Sequence, residues 1–527
     1  MSNVTPIGEA KKTRRPPPPE DPGERMRVLV TTREHEVTNG TLAAVSQHPD
    51  LYQRGGMLVH PIKDQRATGN VSRPEGVSYI AGVASARLRE MVSERVFLCR
   101  MTKEDGPKPC HVPDWLVKQL QGRNQWEGVR PLEAISETPV LRADGSVLSE
   151  AGYDTATGVL YRPHRTFPEL RDAPTLDHAR KAIEFLLEPF ADFPFAESCH
   201  RSAVLAGILT PLARFAFQGP SPLILITKNV RGAGGSLLAD AISIAATGRG
   251  MARMTQAGDD DEERKRILSI ALAGDRMVLV DNVDHPLGGA ALDAALTGTE
   301  WRDRVLGRSE MITAPLLATW FATGNNPQIL GDTVRRILPI RIESPEEKPE
   351  ERTGFKHHPL EPYVLSQHPR MVTAALTVLR GHAVAGRPRG ELKSWGSFDS
   401  WSDIVRSALV WAGEIDPAIG REGLTQGSDD EGNALATLIA HWRYLDTTGT
   451  GVSSQNILRA VTDVDGDIAT LLRDAIIMLS GKGDMLPSAA RLGKRFAHFK
   501  GRVVAGKKLM SQDDRNGVKL WHVRESK

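Results

Sequence analysis

Short apolar stretches alternate with turn signals over residues 26–170, where Asp144-Gly145 and Asp154-Thr155 interrupt the runs. This mixture predicts an α+β accessory domain. From Leu176 the apolar period lengthens to that of helices, and residues 200–217 are apolar almost all round, as in a helix buried beside a sheet. Strand and helix patterns then alternate, so residues 176–345 are expected to form one α/β unit. The stretch 344–352 is rich in proline and charge and reads as a linker. A helical segment over 361–420 and a basic module over 430–527 follow, with no internal repeat. Residues 1–25 carry charge and proline without an apolar core, which predicts a solvated tail.

Within the α/β unit, residues 222–227 (PLILIT) put aliphatic side chains on both faces, the pattern of a strand buried in a parallel sheet. A glycine-rich turn, NVRGAGGS from Asn229 to Ser236, leads into a helix pattern that Gly248 ends. Strand, glycine turn and helix in this order suit phosphate: successive N–H groups surround an anion and the helix N-terminus adds partial positive charge. The candidate contacts are Asn229, Arg231, Gly232, Gly234, Gly235, Ser236 and Leu237. Against G-x-x-x-x-G-K-[ST], Gly234 and Ser236 match, but Asn229 holds the first glycine position and Gly235 the lysine position. The cation that reaches the β and γ phosphates is therefore missing from its usual place. Lys228 and Arg231 are the neighbouring cations able to replace it, and a plain glycine-rich turn is the alternative.

Farther along, a helix pattern containing Ile267, Leu268, Ala271 and Leu272 runs into Met277-Val278-Leu279-Val280 and then Asp281-Asn282. An apolar strand ending in an acid sets a carboxylate at the carboxyl edge of a sheet, where Asp281 with Ser236 can hold Mg²⁺. Asn282 stands where a catalytic glutamate is expected, and Asp284 is the following acid able to orient water, unless it simply opens a surface turn. A third strand pattern, 316–323, ends in Gly324-Asn325-Asn326. Asn325 is the candidate for sensing the γ-phosphate or the attacking water, a turn cap being its other role. Beyond it, Arg335 and Arg336 are candidates for arginines acting across a subunit boundary, with ordinary salt bridges as the competing role. The acids of 259–263 are expected to start a helix, where they complement its dipole.

Composition narrows the class without naming a chemistry. The 527 residues are 40% hydrophobic and 25% charged, with a net charge of +2, an ordinary soluble balance. No apolar run approaches the roughly 18 residues that span a bilayer, so no membrane partner is expected and the location is expected to be cytoplasmic. Three cysteines without a C-x-x-C pair argue against a disulfide framework or a zinc ribbon. Charge is uneven, however: residues 491–527 carry 11 Lys and Arg against 3 Asp and Glu. There Leu492, Phe496 and Phe499 recur at helical spacing, and a hairpin pattern follows with Asn516-Gly517 as its turn. Helix plus basic hairpin predicts a winged-helix domain in which Lys494, Arg495, Lys507 and Lys508 approach DNA; a solvated basic tail is the alternative.

The phosphate loop, the Asp281 strand, the GNN-terminated strand and Arg335-Arg336-Ile337, in this order, resemble the superfamily 3 branch of AAA+ ATPases. These are the helicase modules of phage, poxvirus and plasmid primase-helicases. The likeness covers residues 192–343 and extends more weakly through 131–161. It implies an α/β AAA+ P-loop NTPase core between an α+β accessory domain and a C-terminal winged helix, with ATP and Mg²⁺ as cofactors. It implies a DNA helicase or translocase of phage or mobile-element replication, acting as a homo-oligomeric ring on single-stranded or forked DNA. It further implies a DNA-contacting hairpin at 301–313, in which Arg304 and Arg308 line a central pore. No primase pattern is visible, so priming is expected from a separate chain. The departures at Gly235 and Asn282 leave two other readings open. One is a nonhydrolytic DNA-binding initiator or scaffold; the other is a nucleotide-dependent regulatory switch acting on protein partners.

Overall fold

The computed structural model describes residues 25–63, 78–102, 106–304, 311–428, 430–463, 466–480, 485–504, 506–515 and 517–525. Residues 1–24, Arg308 and Asn516, which figure in the expectations above, lie outside the described residues. The chain is mixed α/β and divides into two compact units. The larger comprises the described residues up to His285 with Gly289–Pro327 and Leu338–Ala418; the smaller comprises Pro286–Gly288, Gln328–Ile337 and Ile419 onward.

The larger unit is organised by a five-stranded sheet. Its chain order runs β1 (Leu223–Lys228), α1 (Gly235–Thr247), β2 (Ala252–Met254), α2 (Asp260–Ala273) and β3 (Met277–Val283). A hairpin of β4 (Glu300–Arg304) and β5 (Met311–Pro315) follows, then β6 (Thr319–Asn325) and β7 (Ile337–Ile342). In space the sheet order is β2-β3-β6-β1-β7. The β2–β3, β3–β6 and β6–β1 pairings are parallel. Because β6 lies between β1 and β3, the carboxyl ends of these strands meet at one edge, with Lys228 opposite Asn325 and Val283 opposite Gly324.

Burial on both faces explains the continuous apolar strands: every residue of β1 except Lys228 is buried. The helix Ser198–Ala213 is buried at nearly every position, and Leu360–Val384 packs in the same core. Trp395, Phe398 and Trp401 join that core, so the helical residues after 360 share the sheet's interior. Local signals set the helix ends. Gly248 closes α1 in the left-handed conformation, and the Asp259 side chain accepts the Glu262 N–H at 2.8 Å to start α2, whose first turn is acidic.

The accessory region holds its own clusters, one around Leu88, Met91 and Leu116 and another around Tyr52, Val59 and Leu160. Buried Arg54 binds this region to the sheet block: its guanidinium donates to the carbonyls of Leu132, Ala271 and Pro315 at 2.8, 2.7 and 3.0 Å. The smaller unit contains helices Ser454–Thr462, Asp467–Ser480 and Ala489–Phe499 beside a four-stranded antiparallel sheet. Leu492, Phe496, Phe499, Leu509 and Trp521 fill its core. Among the described residues no helix is long and apolar enough to cross a membrane.

Candidate functional site

The turn after β1 carries the chain over the sheet edge into α1. Gly232 and Gly234 have φ of 81° and 85°, a region that side-chain-bearing residues rarely enter. A Cβ at Gly232 would also lie 2.5 Å from Glu350 Oε2, and one at Gly234 would lie 3.2 Å from Phe193 Cε1. Asn229 has a structural task. Its Nδ2 donates to the Ser344 carbonyl and its Oδ1 accepts the Ser344 N–H, both at 3.0 Å, so the amide acts as a strand partner that ties the turn to the end of β7. Arg231 and Leu237 are exposed, whereas Gly235 is buried.

Three donors converge on the Asp281 carboxylate at the end of the apolar part of β3. Ser236 Oγ and Thr323 Oγ1 both donate to Oδ1, at 2.8 and 2.7 Å, and Arg253 Nη1 donates to Oδ2 at 2.6 Å. Burial alone would raise the Asp281 pKa, but the two hydroxyl hydrogen bonds and the Arg253 charge outweigh it and hold the group below the usual range. The same guanidinium pairs with Asp240, a buried acid on α1 whose pKa burial raises in spite of Arg253. A hydroxyl and a carboxylate oxygen in direct contact form a hard-oxygen pair suited to Mg²⁺.

The chain then bulges between Val280 and Val283, and Asn282 sits in the bulge with φ of 55°. Asn is among the few residues other than Gly that tolerate this conformation, which accounts for an amide where a catalytic glutamate was expected. The Asn282 N–H donates to Thr323 Oγ1 at 2.9 Å, so Thr323 bridges both residues of the Asp-Asn pair. Asp284 is exposed, 3.7 Å from His285 Nε2. Asn325 is exposed at the end of β6, beside Lys228 in the strand register. A Cβ at Gly235 would lie 3.5 Å from Lys228 Cδ and 3.9 Å from its Nζ, so the lysine side chain runs past the bare face of that glycine.

A cavity of about 210 Å³ adjoins the turn, with Phe193, Gly232, Gly234, Arg352, Phe355 and His358 in its wall. Phe355 stacks with His358 at 6.2 Å and 23°, and the Arg352 guanidinium lies 5.0 Å over the Phe355 ring. Glu188 orders the rim by accepting hydrogen bonds from His357 Nε2 and Tyr363 OH at 2.7 and 3.1 Å.

The remaining candidates are divided between the two units. Arg335 and Arg336 belong to the smaller unit, 3.7 and 3.9 Å from Asp332, with side chains 76% and 20% exposed. Arg304 is exposed on β4, opposite Met311 of β5. In the smaller unit Lys494 and Lys507 are exposed and Lys508 half-buried, while Arg495 donates to the Leu479 carbonyl at 2.6 Å and covers the Phe499 ring. Thus Gly234, Gly235, Ser236, Asp281 and Asn325 gather at one sheet edge, and Asn229 and Arg495 hold the fold together. Sequence reasoning missed Thr323, Arg253, Asp240 and the cavity wall. One signal was available: Asp240 is the lone acid in an otherwise apolar helix pattern.

No family model matches the chain, and none of the curated proteins matches it. Among solved structures the chain is similar to one titled "SCCmec type IV Cch - active helicase", at 9% identity and a TM-score of 0.33, over 90% of this chain and 97% of that one.

Proposed function

We propose that the larger unit binds and hydrolyses ATP to drive movement of the protein along DNA, in the manner of a helicase or translocase. The observation that carries this reading is the Asp281 carboxylate, its pKa held below the usual range at a parallel-sheet edge and in direct contact with the Ser236 hydroxyl in the first turn of α1. The turn's N–H groups and the α1 N-terminus would receive the phosphates. Ser236 and Asp281 would hold Mg²⁺, which when bound supplies neutralisation of phosphoryl charge. The Asn325 amide can hydrogen-bond an attacking water, and Asp284 is the following acid able to accept its proton as the bond from γ-phosphorus to the bridging oxygen breaks. The aromatic-walled cavity beside the turn supports a stacked nucleotide base.

Exposed Arg304 on the hairpin and the Lys494, Lys507 and Lys508 cations support contact with DNA phosphates, which positions a strand without reading its sequence. Three helices with an antiparallel hairpin support a winged-helix reading of the smaller unit. Arg335, the more exposed of the pair, suits a contact with a neighbouring subunit's nucleotide in a ring. The likeness of the motif order to phage and mobile-element helicase modules supports a setting in such replication, and the lack of a visible primase pattern in the sequence supports a separate primase.

A second reading is favoured by Asn282: the position beside Asp281 holds an amide, and Asp281 itself is already ion-paired. On that reading the chain binds nucleotide without turnover and serves as a DNA-binding scaffold. Steady-state ATP hydrolysis with and without single-stranded DNA separates the two. DNA-stimulated turnover that disappears in Asp281→Ala supports the motor, binding without turnover supports the scaffold, and failure to bind ATP sinks both.

A further inference from the structure

We propose that Lys228 is the phosphate-contacting lysine of this site, delivered from the last residue of β1 instead of the first turn of α1. The inference rests on the nucleotide reading above and names the cation which that reading lacks.

Geometry carries the first step. The Lys228 side chain lies along the bare face of Gly235, with Cδ 3.5 Å and Nζ 3.9 Å from a Cβ placed there, which sets its ammonium beside the first residue of α1. Gly235 is the first residue of α1 and, unlike Gly232 and Gly234, has no positive φ, so its backbone would accept an ordinary residue. The position that lacks its lysine thus has the ammonium of Lys228 beside it.

Charge carries the second step. Lys228 is half-buried, and among the described residues its ammonium takes part in no hydrogen bond or ion pair. Of the carboxylates at this edge, Asp281 is engaged by Ser236, Thr323 and Arg253, and Asp240 by Arg253, while Glu350 lies against Gly232, the turn's first glycine. A partly desolvated cation beside a turn of backbone N–H groups lacks only an anion. Strand register sets Lys228 beside Asn325, so the ammonium and the candidate sensor amide rise from neighbouring positions on the edge. Arg231, the other cation of the turn, is exposed. A compact ammonium binds phosphate as a point charge, so its origin on a strand instead of a helix does not alter the chemistry it offers.

The test is calorimetric titration of the full-length chain with ATP, ADP and AMP in the presence of Mg²⁺. Lys228→Ala is expected to weaken ATP and ADP binding by about tenfold or more while changing AMP by less than about threefold, because a charge-assisted contact to the β and γ phosphates is lost. Lys228→Arg should retain part of the affinity, and Lys228→Ala combined with Gly235→Lys should recover most of it. If the native chain binds ATP and Lys228→Ala binds it equally well, the lysine assignment fails and the nucleotide site stands. An equal loss for all three nucleotides would mark a damaged turn and also overturn the assignment. A native chain that binds no ATP removes the nucleotide reading and this inference together.

Discussion

Arg253 Nη1 lies 2.6 Å from Asp281 Oδ2, so a guanidinium from the edge strand β2 sits on the carboxylate best placed to hold a divalent cation. Like charges compete for one carboxylate, and metal binding at Asp281 has to work against this pairing. Arg253→Ala is expected to tighten Mg²⁺ binding by roughly fivefold, the effect of one partly solvent-screened charge at short range. The Arg253 side chain is 45% exposed, which is why the effect stays modest. A Mg²⁺ titration of the nucleotide-free chain measures it; weaker binding in the variant would instead make Arg253 a residue that positions Asp281.

Thr323 is the second support of the same carboxylate. Its buried hydroxyl donates to Asp281 and accepts from the Asn282 N–H, so Thr323→Val removes both interactions and leaves the part-buried Asn282 N–H without this acceptor. The expected cost is about 2–3 kcal/mol of stability, with the Asp281 pKa moving up and ATP turnover falling at least tenfold. Thr323→Ser should stay near the native chain in both respects. Thermal unfolding and turnover measured side by side check the pair.

Asn282 is held at φ of 55° by the bulge in β3. Restoring an acid there by Asn282→Glu is expected to cost about 1 kcal/mol, while Asn282→Gly remains within about 0.5 kcal/mol of the native chain. Asn282→Glu should not raise turnover. A gain in ATP hydrolysis from that substitution would show that the bulge is no obstacle and that the amide alone limits the chemistry.

How far the sequence could be read follows from which signals are local. The PLILIT run was legible because burial on both faces leaves no polar position, and the strand indeed spans Leu223–Lys228. Asp281 was legible as the first acid after four apolar residues. Thr323 was not, because a hydroxyl in a strand is commonplace, and its role arises only when β6 is inserted between β1 and β3. Arg253 was hidden for a similar reason: its partner lies on the neighbouring strand β3, and nothing in the local pattern of β2 marks it. The helical pattern after residue 360 was plain, but periodicity shows which face is apolar and not whose core it enters; Trp395 and Trp401 enter that of the sheet. The cavity wall draws on stretches near Phe193, Gly232 and Phe355, which only the folded chain brings together.

Asp275 gives a pH-dependent signature of the core. Burial pushes its carboxyl up to about 6 from an ordinary value of 3.8, and among the described residues its side chain makes no hydrogen bond. Between those values the folded chain holds a proton that the unfolded chain has released. Stability contributed by this group is therefore present at low pH, falls as pH rises through about 4 to 6, and stays lost above that range. Asp275→Asn removes the penalty and is expected to stabilise the larger unit by up to about 3 kcal/mol at pH 7.5, with little change at pH 4. Denaturant unfolding at the two pH values checks this, and an equal effect at both would show that the carboxyl does not titrate in that window.

The final prediction concerns where DNA is held. Each phosphate contact releases counterions, so removing a contacting cation flattens the dependence of binding on salt by roughly 0.7 for a single strand. Lys494, Lys507 and Lys508 replaced together by Ala are expected to reduce the slope by about two, measured by fluorescence anisotropy on a labelled single strand over a salt series. Arg304→Ala should reduce it by less than one if the hairpin contributes one contact per subunit. Arg495→Ala serves as the contrast. Its guanidinium donates to the Leu479 carbonyl and covers Phe499, so its loss should lower the melting temperature of the smaller unit more than it changes the slope. A triple lysine variant that keeps the full salt dependence, beside an Arg304→Ala variant that loses it, would move the DNA contact from the C-terminal module to the hairpin.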